Sequence, residues 1–306
     1  MLYPLKLEPV FKEYLWGGTK LKSNYHKECS CKTIAESWEL SIHPDGENII
    51  QNGEYKGMLL SKYLRENPQA LGIDAEEGLP LLIKLIDAAD NLSIQVHPDD
   101  AYAHQHENQT GKTELWYVMD CARGAALYYG FKEKINRDEF VRRAKDGSIL
   151  EVLNYVPVKK GDAFLVKPGT VHAIGKNITV AEIGTNCNIT YRIYDYNRRD
   201  AWGNLRPLHI DQAADVIKFS TGNKITLTKT LDCGPFQVEL LHVDNDSIAQ
   251  EADTKSFAHF ICMEGGCKLN GHFDTIELEK GESVFVPANL GEYYLSGNAE
   301  MIKTTV

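Results

Sequence analysis

Residues 161–172 read GDAFLVKPGTVH, and residues 281–292 read GESVFVPANLGE. Each opens on a glycine, runs through a short apolar strand and meets a proline in a turn, Pro168 or Pro287. The first closes on His172 and the second on Glu292. Two unrelated strand-turn units could share this outline, because Gly-strand-Pro turns are common. The flanking sequence decides in favour of a repeat within a β fold.

On both sides the chain breaks into short β-rich runs bounded by Gly, Pro, Asn or Asp. They include LLIKLIDA (81–88), SIQVH (93–97), TELWYVM (113–119), DAFLVK (162–167), ITVAEIG (178–184) and ITYRIYDY (189–196). The C-terminal part continues with FQVELLHV (236–243), FAHFICME (257–264), CKLNGHFDTIELEKG (267–281) and ESVFVPA (282–288). Helical patterns are fewer: 56–72, stopping near Asn67-Pro68; 136–154, with Asn136 as N-cap; and 207–219. A chain of many short strands predicts a mainly β fold, a sandwich or barrel with helical insertions. The repeated stretch resembles the second cupin motif, G-x5-P-x-G-x2-H. Lys167 takes the proline position in the first copy; Asn289 and Glu292 replace Gly and His in the second. The expectation is two cupin-type jelly-roll halves. Residues 1–220 are expected to form the catalytic half, with helical insertions at about 51–80 and 136–154, and 221–306 a degenerate copy without metal.

Bulk properties narrow the partners. The 306 residues suffice for a large core, and the net charge of −10 comes without a basic cluster. Nucleic acid and anionic membranes are therefore poor partners. No apolar run reaches the roughly 18 residues of a membrane span. The N-terminal MLYPLKLEPV lacks a secretory pattern, so a cytoplasmic protein is expected. The seven cysteines fit no paired zinc framework and are expected as reduced thiols.

Metal-competent side chains fall into a pattern only if the strands meet. SIQVH places Gln95 and His97 on one strand face, and GKTELWYV does the same for Lys112 and Glu114. His172 follows a glycine turn. Two His, one Glu and Gln95 make an N2O or N2O2 site that suits Zn²⁺, with Fe²⁺ or Mn²⁺ as alternatives. Singly, each reads as readily as a strand end, a solvated acid or a polar turn residue. In TYRIYDYNRRD (190–200), Arg192 can clamp a phosphate or an oxyanion. From the residues alone the plainer reading is favoured, an arginine stacked on tyrosine or paired with Asp195 or Asp200.

The segments YLWGGTKL (14–21), ESWELSIHPDG (36–46), LIKLIDAADNLSIQVHPDD, GKTELWYV, KPGTVHAIG, TYRIYDYNR and RPLHI occur in this order. Together they resemble type I mannose-6-phosphate isomerases in their short bacterial form, by motif over roughly residues 3–210. The resemblance implies one Zn²⁺ per chain, held by His97, Glu114, His172 and Gln95. It makes Arg192 and Lys112 catalytic and substrate-binding residues. It implies interconversion of D-mannose 6-phosphate and D-fructose 6-phosphate through a cis-enediol, with a phosphosugar as partner; the sequence leaves the assembly open, as a monomer or weak dimer. The stretch EIGTNCNI (182–189) departs from the family pattern, which leaves a related phosphosugar open as substrate. A non-catalytic sugar-binding regulatory cupin and a metal-dependent oxygenase use the same fold. The intact ligand set favours the enzyme over the first, and GKTE and TYRIYDY favour the isomerase over the second.

Overall fold

The computed structural model describes residues 2–72, 78–200, 202–219, 227 and 229–306. The chain divides into two compact units: Glu13–Thr19 with Ile86–Thr226, and Met1–Lys12 with Lys20–Leu85 and Leu227–Val306. The expected division at 220/221 lies outside the described residues.

The first unit is built on antiparallel strands. One sheet runs in the order Leu153–Pro157, Ala126–Phe131, His172–Ala173, Ile94–Val96, Tyr191–Tyr194. A second set, Ala163–Val166, Glu114–Cys121 and Ile178–Thr185, pairs in that order. Ile94, Val96, Tyr191 and Ile193 share a cluster with Phe140, Ala144 and Ala213 of the helices Arg137–Asp146 and Ile210–Val216. Burying each large apolar side chain contributes roughly 1.5–3 kcal/mol, so this face fixes the register. Strand alternation then turns Gln95 to the other face. Asn136 caps its helix, accepting from the Glu139 amide at 2.9 Å, and Gly147 ends it in the left-handed region at φ 81°.

The second unit contains the C-terminal barrel. Its strands run Thr230–Asp232, Gln237–Asp244, Gly291–Thr305, Ala258–Asn270, Ile276–Glu279; Ile248–Ala252 and Ser283–Val286 add to the two long strands. Ala252, Ala258, Phe260, Cys262, Val284, Val286, Tyr293 and Leu295 form one buried cluster. The expected helix at 56–72 shortens to Leu60–Glu66, because Pro68 removes a helical N–H and starts a single tight turn.

Two expectations are corrected here. Glu292 does not take the place of His172. It pairs with Glu251 on the exposed face, and its neighbour Tyr293, fully buried, points inward. A one-residue offset in a strand reverses every side chain, which the turn motif alone cannot reveal. The cysteines are not all free. Cys29 and Cys31, with Cα atoms 5.3 Å apart, form a disulfide, and the other five cysteines are in none.

This unit also buries a charged nest. Lys27 Nζ lies 2.7 Å from Glu39 Oε1, and Ser37 and Ser283 donate to the same carboxylate at 2.6 and 2.9 Å. Burial, then the Lys27 charge, pulls the fully buried His259 imidazole down to about 3. Among the described residues, no helix is long and apolar enough to cross a membrane.

Candidate metal centre

Three turns of the first unit hold one another, and that is how distant ligands meet. The Gly169 amide donates to the His97 carbonyl at 2.9 Å, tying the KPGTVH turn to SIQVHPDD. The Lys112 amide donates to the Pro98 carbonyl at 3.1 Å, and the Gly111 amide to Asp100 Oδ1 at 2.8 Å. Gly111 is required at this crossing, since a Cβ there would lie 2.5 Å from the Asp100 nitrogen. The co-occurrence of HPDD and GKTE thus has a steric cause. Asp99 completes the corner by capping the helix Asp100–Glu107, accepting from Tyr102 N at 3.1 Å.

His97, Glu114 and His172 converge as a buried cluster, each offering one ligand atom within 4.8 Å of the others. His97 Nε2 and His172 Nε2 lie 3.5 and 3.4 Å from Glu114 Oε1. Each imidazole places Nδ1 against a main-chain carbonyl: His97 on Ile189 at 2.7 Å, His172 on Thr170 at 2.8 Å. A carbonyl accepts only from N–H, so both Nε2 atoms keep a lone pair facing inward. His97 Nε2 and Glu114 Oε1 are buried without a hydrogen-bond partner. Such groups are costly unless something binds them. The donor set and its orientation fit a divalent ion of the zinc class. Gln95 is the strand partner of His172, with Nε2 3.3 Å from His172 Nε2. A half-turn of its amide brings Oε1, a hard donor, to the same place.

Beside the cluster sits a buried cation. Lys112 Nζ lies 2.6 Å from Glu114 Oε2 and 3.0 Å from Glu182 Oε1. Burial alone pulls the ammonium down; Glu114 and then Glu182 outweigh it and raise it. Likewise burial pushes the Glu114 carboxyl up, but Lys112 and His97 hold it well below the carboxylate range. Burial and the neighbouring His97 bring His172 to about 3, the neutral form a ligand requires.

Glu182 was not anticipated from sequence as a site residue. It accepts from Lys112 and, at 3.2 Å, from Trp116 Nε1. Its signal was a lone acid in the buried run ITVAEIG. Thr185 is taken up structurally, donating to the Gly111 carbonyl at 2.9 Å. Arg192 belongs to the strand Tyr191–Tyr194 and is the register partner of Gln95. Burial, then the Arg206 charge, lowers its guanidinium from the usual range. Its expected pairing with Asp195 is not made: Asp195 accepts from Arg198 and Arg206 instead.

Comparison with known proteins agrees with this arrangement. A profile of the phosphomannose isomerase type I catalytic domain matches residues 4–119, and one of the mannose-6-phosphate isomerase cupin domain matches 226–306. The chain is 38% identical to mannose-6-phosphate isomerase ManA of Bacillus subtilis over 98% of each chain. It is 33% identical to mannose-6-phosphate isomerase of Streptococcus mutans over 99% of this chain and 98% of that one. The crystal structure of the mannose 6-phosphate isomerase from Bacillus subtilis superposes with a TM-score of 0.92 at 31% identity, covering 99% of both chains.

Proposed function

The chain belongs to the type I phosphomannose isomerase family, and from that premise we propose that it interconverts D-mannose 6-phosphate and D-fructose 6-phosphate. Zn²⁺ would be held by His97, Glu114 and His172, with Gln95 as fourth ligand through its amide oxygen. The observation that carries this is the set of inward-facing, unsatisfied donor atoms, with both histidines oriented by main-chain carbonyls. We assign the catalytic work to the unit that contains residues 86–226.

The reaction moves a proton between C2 and C1 through a cis-enediol. Bound Zn²⁺ supplies Lewis acidity that polarises the sugar oxygens. Lys112, held protonated between two carboxylates, brings a fixed positive charge next to the ligand Glu114. It therefore serves to stabilise enediolate charge and to donate a hydrogen bond. Glu182 accepts from the Lys112 ammonium at 3.0 Å and holds it in place. Arg192 carries a buried Nε without a partner and offers its guanidinium to the anionic substrate. A protein of net charge −10 binds a phosphate dianion only where local cations dominate, and Lys112 and Arg192 are those cations.

The test is metal analysis of the purified chain joined to a coupled assay for fructose 6-phosphate formed from mannose 6-phosphate. About one zinc per chain with turnover is the expected result. A fully zinc-loaded chain without turnover would overturn the proposal.

A further inference from the structure

Arg192 is gripped along its whole length by the segment Arg206–His209. Its amide donates to His209 Nδ1 at 3.1 Å, its carbonyl accepts from the His209 amide at 2.7 Å, and its Nη1 donates to the Pro207 carbonyl at 3.0 Å. The segment is anchored by its first residue. Arg206 makes a two-pronged contact with Asp195, Nε to Oδ2 at 2.7 Å and Nη2 to Oδ1 at 2.5 Å. Arg198 adds a third donor to Oδ1 at 2.5 Å, and its Nη1 donates to the Asn91 carbonyl at 2.6 Å. Asp195 is 5% exposed.

The arrangement answers a problem of competition. Asp195 lies three residues from Arg192, just past the end of the strand Tyr191–Tyr194, and its charge acts on Arg192. A half-buried guanidinium near an unsaturated carboxylate is drawn to pair with it. That pairing would consume the charge Arg192 needs for substrate. Two arginines already fill Asp195, and their own charges oppose the approach of a third. Arg192 is left with one neutral carbonyl acceptor and a buried Nε without a partner. The Arg206 fork also fixes the residue before Pro207, whose ring restricts its own backbone, so the Pro207 carbonyl is a rigid stop.

We propose that the Asp195–Arg206 pair is a positioning device that keeps Arg192 off Asp195 and aimed at the anionic substrate. This rests on the role given to Arg192 above, and it deepens that role by naming what enforces it.

The experiment is a set of zinc-loaded variants assayed for mannose 6-phosphate turnover: R206A, D195N, R206A/D195N, R192A and R192A/R206A. R206A should lower kcat/KM on the order of 10–100-fold, because Asp195 becomes a trap for Arg192. R206A/D195N should recover to within about fivefold of wild type, since the trap has lost its charge. Adding R206A to R192A should change kcat/KM less than about twofold. Equal losses in both backgrounds, or no recovery on adding D195N, would overturn the device. A second readout stands apart from turnover: the ¹⁵N–¹H resonance of Arg192 Nε should shift in R206A and return in R206A/D195N. An unmoved resonance would also overturn it, whereas a wild-type chain inert toward mannose 6-phosphate would sink only the substrate role of Arg192. If R206A fails to fold, R206M, which keeps the apolar stem, carries the same expectations.

Discussion

The two barrels spend their interiors differently. Around Glu114 the first places two imidazoles, a carboxylate, an ammonium and a second carboxylate in full burial. At the position matching Glu114 the C-terminal barrel places Ala258, in one buried cluster with Phe260 and Tyr293. Val166 pairs with Glu114 in one, and Val286 pairs with Ala258 in the other, so the frames correspond. The same strand layout therefore supports either a charged cluster or a packed core. The charged version is stable only when each charge has its partner, whereas the apolar version gains stability from every side chain.

Substitutions at the charged interior should break function first. His97→Ala or Glu114→Gln is expected to abolish zinc retention and lower turnover by about 10³-fold or more, read by metal analysis and the coupled assay. Lys112→Ala and Arg192→Ala should each lower turnover on the order of 10²–10³-fold while zinc stays bound. Retained turnover in either variant would remove that residue from the mechanism. The apolar interior should respond in the opposite sense. Phe260→Ala is expected to cost about 3–5 kcal/mol in denaturant unfolding, with zinc content unchanged in the protein that remains folded.

A pH series sharpens the contrast further. His259 is depressed to about 3 in the folded chain, against 6.5 when unfolded. Between those values the unfolded chain binds the extra proton, so stability falls as pH drops from about 6.5 toward 3. The slope approaches about 1.4 kcal/mol per pH unit for this one group. His259→Gln should flatten that limb of a stability–pH curve. The smallest effect belongs to Tyr293→Phe. Its hydroxyl is buried without a partner, so removal should be neutral or stabilising by about 1 kcal/mol.

What the sequence revealed and what it hid divide along the same physical line. Strand segments and the Asn136 cap were legible because local periodicity and turn chemistry determine them, whereas the His97–Glu114–His172 set was legible only through the ordered family segments. The inward position in the second copy was not legible, since a shift of one residue from Glu292 to Tyr293 leaves the motif intact and reverses the face. Glu182 and the Asp195–Arg206 pair were hidden for another reason. Their partners are separated in sequence by 70 and 11 residues, and only the tertiary fold says which cation meets which anion. Arg192 shows this directly: the nearest acid in sequence is not its partner.

The carbonyls of Ile189 and Thr170 that orient the two histidines are main-chain groups. No side-chain replacement at either position deletes the acceptor. The aim of the ligands is thus insulated from ordinary point mutation and changes only when the backbone path changes. Sequence can drift around such a centre while the aim of its ligand atoms is inherited with the fold. Insertions or deletions next to residues 170 and 189 are the class of change to which this centre is most exposed.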